Sequence, residues 1–442
     1  MKRFLLVALL LVSAASAYAA DLKITGDAEV RGVINNAEYD GDTVYKDKFF
    51  DADFNFNAAL VLTENTTIFT KLTFDAENGE GTATVPDSEA GEAAAMLGVE
   101  RAYISTKFLP ALTVDAGLMG GGMWGTAFGN TETNVTRIKG TYAISDDIKV
   151  SAIYEKGYES NDTTLYKATE MTPQDVYDAV YDAVFAATGD ATTADAAAEA
   201  AADSWTASDT SDFGDTTSYY LTANIKAGAF TIMPLFRYQT KETEVWLNNK
   251  AASLGAATKS DAEPWSFKAD IAVTGDLGMI GFEAEVIYEM VKWDDFKADD
   301  TAIYGAYVDV FAKLEMAKAG VALFYESADK TDGTFAAGTD FDFTLLTEDD
   351  SLAGYMGGKL YASEIKIVDK ISADVAFAYV MQTNDDVFED SFFEVDAGVN
   401  YAIDAATTYT IEGGYIAGTE KDAGTDYDYN MYMVRQKFAV KF

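Results

Sequence analysis

The sequence predicts an all-β fold: a transmembrane antiparallel β-barrel of about 18 strands, with 16 strands as the alternative count. Three observations predict it: an export leader, long stretches in which every second residue is apolar, and connections that alternate between tight turns and long loops. The chain has 442 residues, which fits one large domain. We therefore expect a signal peptide at 1–20 and a barrel at 21–442.

The leader is a short positive head followed by an apolar run. Met1-Lys2-Arg3 precedes the apolar residues 4–12, and small residues at 17–20 stand at the spacing of a cleavage site. The apolar run is too short to be a membrane-spanning helix, which needs about 18 or more residues. We therefore expect the leader to be cleaved after export.

Strict alternation dominates the rest of the chain. Residues 50–62 alternate apolar side chains with Asp and Asn, and residues 271–273, 280–290 and 371–381 repeat the pattern. Many such segments are longer than the strands of soluble sandwiches and reach the length of a tilted strand that crosses a bilayer. Pro234 interrupts an otherwise good strand, where we expect a bulge or a strand boundary.

The connections alternate in length. Eight are predicted tight turns, at 63–65, 109–110, 145–147, 226–229, 275–278, 315–318, 368–370 and 403–405. Nine are predicted loops, at 35–46, 76–97, 119–133, 159–215, 242–263, 294–300, 329–353, 385–390 and 418–426. Seventeen connections imply eighteen strands, with short turns at one end of the barrel and long loops at the other.

Composition excludes several function classes. The chain has no cysteine and no histidine, so disulfides, Cys/His metal sites and nucleophiles with a histidine base are excluded. A net charge of −41 would repel nucleic acid. The spacing of the acidic residues singles out no catalytic carboxylate pair. The sequence therefore predicts no enzyme, no cofactor, no metal site and no nucleic-acid partner.

The last strand carries a family resemblance. Val434, Phe438 and Val440 alternate up to a terminal Phe442, and this pattern resembles the last strand of Gram-negative outer-membrane barrels. Gln436 departs from it, at a position that is usually apolar. Together with the leader, the whole mature chain resembles the general diffusion porins of the bacterial outer membrane. The resemblance implies that the barrel-insertion machinery reads Phe442 and that the protein is a homotrimer.

If the apolar residues of each strand face lipid, the residues that alternate with them line a water-filled interior. All five arginines after the leader fall at inward positions. The predicted basic pore-lining residues are Arg31, Arg101, Lys107, Arg137, Lys139, Arg237 and Arg435. The predicted acidic ones are Glu283, Glu285, Glu289, Glu394 and Asp396. Two arrangements remain open: a basic wall facing an acidic wall across the pore, or local salt bridges between adjacent strands.

The segment after the fifth strand is rich in glycine. The porin resemblance implies that this loop folds into the lumen and narrows it. Its predicted constriction residues are Gly120, Gly122, Met123, Trp124 and Phe128. An ordinary outer loop is the alternative. The segment also matches G-x-G-x-x-G, but a dinucleotide site would need a helix where another strand is predicted.

The longest loop, 159–215, carries 13 acidic residues and one lysine. Thr172-Pro173 begins a predicted helix whose aromatic stripe would pack on the barrel rim, with a mobile lid or subunit contact as the alternative. The acidic residues form a solvated face or recruit divalent cations that bridge to lipopolysaccharide.

The predicted function is passive diffusion of small hydrophilic solutes and ions, with a weak preference for cations because the chain is so acidic. The alternative is a structural or adhesive barrel that displays acidic surface loops. The predicted location is the outer membrane, in contact with its lipid and lipopolysaccharide.

Overall fold

The computed structural model describes residues 21–79, 94–121, 124–128, 133–158, 212–246, 259–262, 265–292, 301–327, 354–382, 389–422 and 425–442. These residues form nineteen strands: β1 Asp21–Tyr39, β2 Asp42–Thr63, β3 Thr66–Gly79, β4 Ala94–Leu109, β5 Leu112–Gly121, β6 Thr133–Ala143, β7 Ile148–Tyr158, β8 Asp212–Ala227, β9 Phe230–Trp246, β10 Lys259–Ala262, β11 Trp265–Asp276, β12 Ile280–Lys292, β13 Thr301–Lys313, β14 Lys318–Glu326, β15 Tyr355–Val368, β16 Ile371–Gln382, β17 Glu389–Ala402, β18 Thr407–Asp422 and β19 Thr425–Lys441.

The strands close into a barrel. Apart from the short β10, each strand pairs antiparallel with the next strand of the barrel, and β1 pairs with β19 from Asp27 opposite Lys441 to Tyr39 opposite Tyr429. The short β10 pairs with the last residues of β9, and β11 pairs with the rest of β9. β10 is therefore not a separate strand of the circumference. Eighteen strands therefore form the circumference, and the predicted count is confirmed.

The eight tight turns lie where the alternation places them, at the end of the barrel that also holds Asp21 and Phe442. Two predicted loops at the opposite end were wrong. Residues 35–46 form a hairpin whose turn, Asp40–Gly41, has φ of 49° and 82°. Strands β18 and β19 likewise continue through most of 418–426. In both hairpins the strands stay paired beyond their apolar residues. The apolar alternation therefore placed the ends of these strands too early.

The two faces of the wall follow the alternation. On β12, Val286 is 60% exposed on the outer face, whereas the preceding Glu285 is 1% exposed on the inner face. Ile271 on β11 and Tyr288 on β12 share the outward parity and are also exposed. Large apolar side chains therefore cover the outside of the barrel, as a surface in contact with lipid requires.

Pro234 lies inside β9 without a bulge, so the expected break was wrong. The β8–β9 register is the same at Thr222–Leu235 and at Ile225–Ile232, although the two pairs between them are absent from the ladder. Proline lacks an N–H, so hydrogen bonding is interrupted while the register is kept.

Gln436 lies on the outer face of β19. The Tyr409 hydroxyl donates to its Oε1 atom over 3.2 Å. The polar residue that departs from the usual pattern thus has a hydrogen-bond partner on the neighbouring strand β18.

The predicted leader at 1–20 and most of the predicted helical loop lie outside the described residues. Of 159–215, only 212–215 are described, and they begin β8. In the part of the chain that the structure describes, no helix is long and apolar enough to span a membrane.

Candidate functional site

The described part of the segment after β5, residues 124–128, lies inside the barrel. We call these residues the inner segment. Its contacts are with β9, β12 and β13, although it follows β5 in the chain. Phe128 is 1% exposed and Ala127 is 2% exposed. The segment therefore crosses from its own strand to the interior wall formed by distant strands.

A carboxylate on that wall binds the backbone of the inner segment. Glu285 of β12 accepts hydrogen bonds from the backbone N–H groups of Thr126, Ala127 and Phe128, at 2.7 Å for Ala127 and 3.3 Å for Phe128. The Thr126 hydroxyl also donates to it over 2.9 Å. Hydrogen bonds to a charged acceptor are stronger than neutral ones. One side chain thus satisfies N–H groups that a non-strand segment would leave unpaired.

Two glycines make this close approach possible. Gly125 has φ +86°, and a Cβ atom on it would lie 2.4 Å from Glu285 Oε1. Gly305 on β13 leaves room for the Phe128 ring, because a Cβ atom there would lie 2.9 Å from Phe128 Cζ and 2.8 Å from Ile287 Cγ2. The inner segment therefore depends on glycine at both sides of the contact.

The indole of Trp124 provides a second attachment. Its Nε1 donates over 3.2 Å to the carbonyl oxygen of Met233, the residue before Pro234 in β9. The β8–β9 ladder is interrupted at this point. The indole thus binds a wall carbonyl next to the interruption that proline causes.

Phe128 and Ala127 join an apolar cluster on the inner face of the wall. Its buried members on the strands are Ile287, Ile303, Ala322, Phe324, Ala378, Val380, Phe392 and Ile416. All of these lie at inward positions of β12, β13, β14, β16, β17 and β18. The interior is therefore not uniformly polar, which the alternation alone did not predict.

The five described arginines all face the interior, and each lies against a carboxylate. The pairs are Arg31 with Asp51 at 2.6 Å and Asp53 at 3.0 Å, Arg101 with Glu100 at 3.5 Å, Arg137 with Glu155, Arg237 with Glu289, and Arg435 with Glu412 at 2.6 Å. The contacts are mostly between neighbouring strands or strands two apart. The described geometry therefore contains local salt bridges, and a field across the lumen stays a prediction.

The acid-rich part of the wall also carries cations that the sequence reasoning missed. Lys268 on β11 lies opposite Glu289, and Lys359 on β15 shares an inward row with Glu394 of β17. Lys318 of β14 lies 3.8 Å from the centre of the Phe311 ring. The strand pattern predicted that these lysines point inward. It did not predict that they lie on the same part of the wall as the acidic residues.

The remaining predicted residues are dispersed. Lys107 is exposed near a tight turn, and Lys139 lies on β6 opposite Asp115. The predicted acids Glu283 and Asp396 lie at inward positions of β12 and β17. These residues line the same interior.

The predicted constriction and insertion residues divide as follows. The Gly120 carbonyl accepts a hydrogen bond from Arg137 over 3.0 Å, whereas Gly122 and Met123 lie outside the described residues. Phe442 exchanges two backbone hydrogen bonds with Gly26 on β1 at 2.8 and 2.9 Å. The last residue of the chain thus takes part in closing the barrel.

Comparison with known proteins supports the architecture. No protein-family model matches the chain, and none of the curated proteins does. Among solved structures, OccAB2 of Acinetobacter baumannii has a TM-score of 0.55 at 11% identity, covering 95% of this chain and 98% of its own. The outer membrane protein OpdK of Pseudomonas aeruginosa has a TM-score of 0.54 at 9% identity, with 95% and 99% covered. OccK9 (OpdG) of the same organism has 0.55 at 10% identity, with 95% and 99% covered.

These likenesses extend over the whole barrel and are low in sequence identity, so they establish the fold. The chain has the fold of Gram-negative outer-membrane porins. The resemblance based on the leader, the alternation and the last strand is confirmed at that level.

Proposed function

We propose that this protein is an outer-membrane porin whose water-filled channel passes small hydrophilic solutes and ions, narrowed by the inner segment. The observation that carries the proposal is the attachment of residues 124–128 to the interior wall through Glu285 and Phe128. A segment fixed inside a closed barrel reduces the open cross-section at one level and leaves the rest of the lumen wide.

The size and polarity of the interior support a water-filled channel. Eighteen strands enclose more space than inward side chains fill. Charged groups such as Arg31, whose side chain keeps 30% exposure, need water or an ion partner inside a membrane protein. Water beside the charged rows, with the apolar cluster holding the inner segment at one part of the wall, is therefore the physically consistent arrangement.

The solute class is open to direct measurement. One solved structure with this fold is OpdK of Pseudomonas aeruginosa with vanillate, at a TM-score of 0.54 and 9% identity. Vanillate is a small aromatic carboxylate, and its presence there motivates testing that class of solute beside inorganic ions. The net charge of −41 supports a weak preference for cations.

Reconstitution into planar bilayers tests the proposal. We expect stepwise current increments from the purified, folded protein. In a salt gradient, we expect a reversal potential whose sign shows that cations pass more readily than anions. A correctly folded barrel that inserts and stays silent would overturn the channel. A reversal potential of the opposite sign would overturn only the cation preference.

The alternative function is a structural or adhesive barrel that displays acidic surface loops. The acidic insertion at 159–215 favours it, because that many like charges serve no obvious need of a pore. Deleting residues 165–205 separates the two. A porin keeps its current steps after the deletion, whereas an adhesive barrel loses binding to its target surface.

Export and assembly complete the proposal. We propose that residues 1–20 are removed as a signal peptide, that Phe442 is recognised by the insertion machinery, and that the mature protein is a homotrimer. Divalent cations would bridge the acidic loops to lipopolysaccharide. Amino-terminal sequencing of the outer-membrane protein and chemical cross-linking test the first and last of these.

A further inference from the structure

One carboxyl group on the interior wall accepts no hydrogen bond within the described part of the chain. Asp270 of β11 is 1% exposed, and neither of its oxygens accepts a hydrogen bond from any group that the structure describes. An ionised carboxylate without hydrogen bonds in a buried place is strongly destabilising. The group must therefore lose its charge or share it with something next to it.

Its neighbour is the residue that binds the inner segment. Asp270 lies opposite Ile287, and Glu285 lies opposite Ala272, so the two acids are diagonal neighbours on one inward face. Diagonal neighbours on paired strands lie close enough for long side chains to meet. Glu285 accepts hydrogen bonds from the inner segment through both of its oxygens, so Glu285 is the member that carries the negative charge.

The surrounding charges leave a surplus of one negative charge. Arg237 of β9 pairs with Glu289 of β12. Lys268 of β11 lies opposite Glu289 and also attracts Asp270 and Glu285. With Asp270 and Glu285, this makes three acids against two bases. The inner segment contributes only Trp, Gly, Thr, Ala and Phe, and so no charge.

Other titratable side chains near this spot lie at inward positions of the adjoining strands: Tyr220 on β8, Glu283 on β12, Tyr307 and Asp309 on β13, and Glu326 on β14. Lys318 on β14 and Lys359 on β15 are the cations of this part of the wall, and they act on Glu283 and Asp309. They therefore offset those acids and leave the surplus at Asp270 and Glu285. One proton bound between Asp270 and Glu285 would neutralise the surplus negative charge where it arises.

We propose that Asp270 is a positioning residue for the inner segment, present at neutral pH as a carboxylic acid that donates its proton to the Glu285 carboxylate. Two carboxyl groups that share a site keep one proton between them. The hydrogen bond fixes the Glu285 side chain, and Glu285 in turn fixes the backbone of residues 126–128. The proton comes from solvent, and it returns to solvent as water when hydroxide removes it.

The chemistry predicts a response to alkaline pH. Loss of the shared proton leaves two adjacent carboxylates, whose repulsion moves Glu285 away from Asp270 and weakens its bonds to the inner segment. A test by channel current rests on the proposed function, because it assumes that the inner segment narrows a conducting channel. A test by infrared spectroscopy does not rest on it.

The electrical experiment compares variants from about pH 6 to about pH 10, a range that extends from near neutrality well into alkaline solution. In the wild type, current noise and conductance should rise by about two-fold towards the alkaline end, as expected when a constriction is released. Asp270→Asn should be quiet at every pH, because an amide donates as the acid does. Asp270→Ala should be noisy throughout.

The matched control is Asp374→Asn. Asp374 is another inward acid, on β16, and it accepts hydrogen bonds from Asn400 at 2.6 Å and from the Glu364 backbone at 2.7 Å. Its variant should keep the wild-type pH response. A pH response that persists in Asp270→Asn would overturn the proposal. Current noise at all pH values in Asp270→Asn would also overturn it. That result would show that the inner segment needs an ionised Asp270, paired with Lys268 or a bound cation.

Infrared difference spectroscopy on the folded protein gives the second readout. We expect a carboxylic-acid C=O band at neutral pH that disappears on alkalinisation and is missing in Asp270→Asn. Absence of that band from the wild type would overturn the shared proton whether or not the barrel conducts. A silent barrel that shows the band would remove the channel and keep the positioning role.

Discussion

Two regions of the interior wall use carboxylates in different ways. On β12, Glu285 is 1% exposed and binds backbone N–H groups of the inner segment. On β2, Asp51 and Asp53 keep 16% and 32% side-chain exposure and bind the guanidinium of Arg31. Both regions look alike in sequence, as acids at inward positions of long strands. Burial distinguishes them, because exposed ion pairs contribute little stability whereas a buried acceptor is costly to remove.

The largest effect should follow from breaking the buried contact. Glu285→Ala removes the acceptor of four hydrogen bonds and should release the inner segment, roughly doubling conductance and increasing current noise. We expect a loss of about 3 to 5 kcal/mol in the stability of the folded barrel, because several backbone N–H groups lose their acceptor at about 1 to 3 kcal/mol each. Single-channel recording and the temperature of loss of the folded, fast-migrating form on gels measure the two effects.

Glu412→Ala is the matched control for that variant, since Glu412 binds Arg435 in an ion pair that retains solvent exposure. It should leave current noise unchanged. Equal noise in both variants would contradict the distinction between the two kinds of region.

A smaller change to the same contact should follow at Gly305. Gly305→Ala places a Cβ atom 2.9 Å from Phe128 Cζ and should displace the ring, at a cost of about 1 to 3 kcal/mol. Phe128→Leu in the same chain should recover part of the loss by removing ring atoms. Gly140→Ala on β6 is the control, because a Cβ atom added there would have no atom within 4 Å in the described part of the chain. If Gly140→Ala costs as much as Gly305→Ala, the space for Phe128 is not the reason.

The exposed region should respond in selectivity more than in stability. Arg31→Ala leaves Asp51 and Asp53 without their cation and should move the reversal potential further towards cations. Stability should change by about 1 kcal/mol or less, as for other solvent-accessible ion pairs. An unchanged reversal potential would place Arg31 away from the ion path.

The smallest effect concerns a turn outside the membrane-spanning strands. The backbone N–H of Ala406 donates to Asp404 over 2.8 Å, with a further bond from Thr407, and these bonds lower the pKa of the Asp404 carboxyl below its usual value of 3.8. A lowered pKa in the folded state gives stability that is present above 3.8 and lost as pH falls through the lowered value.

Asp404→Ala should therefore slightly lower the melting temperature at neutral pH and make no difference in strong acid. Melting curves of both proteins across the acid range measure this. A difference that persists unchanged into strong acid would show that the carboxylate charge is not what stabilises the turn.

Much of the architecture was predictable because it depends on local properties. The eight tight turns and the inward position of every described arginine follow from residues within a few positions of each other. The hairpin at Asp40–Gly41 was also readable, because Asp-Gly is a preferred pair for a two-residue turn with positive φ at both positions, but the predicted loop missed it. The unbroken strand at Pro234 was not predictable in this way. At Pro234, backbone pairing with both neighbouring strands overrode the local signal.

The functional site was predictable in part. Trp124 and Phe128 were predicted as constriction residues and Glu285 as an inward acid, but nothing in the local sequence connected them. Glu285 is 159 positions from Thr126 in the chain, and the indole of Trp124 meets a carbonyl 109 positions away. Asp270 gave no signal at all beyond its parity.

The amino-acid sequence alone determined that this chain forms a closed antiparallel barrel with an apolar outer surface and charged groups inside, because alternation and turn chemistry act over a few residues. The tertiary structure decided which wall the inner segment meets and which acids are buried there. Those contacts depend on the register of every strand pair between β5 and β12, and register accumulates around the circumference in a way that no local pattern specifies.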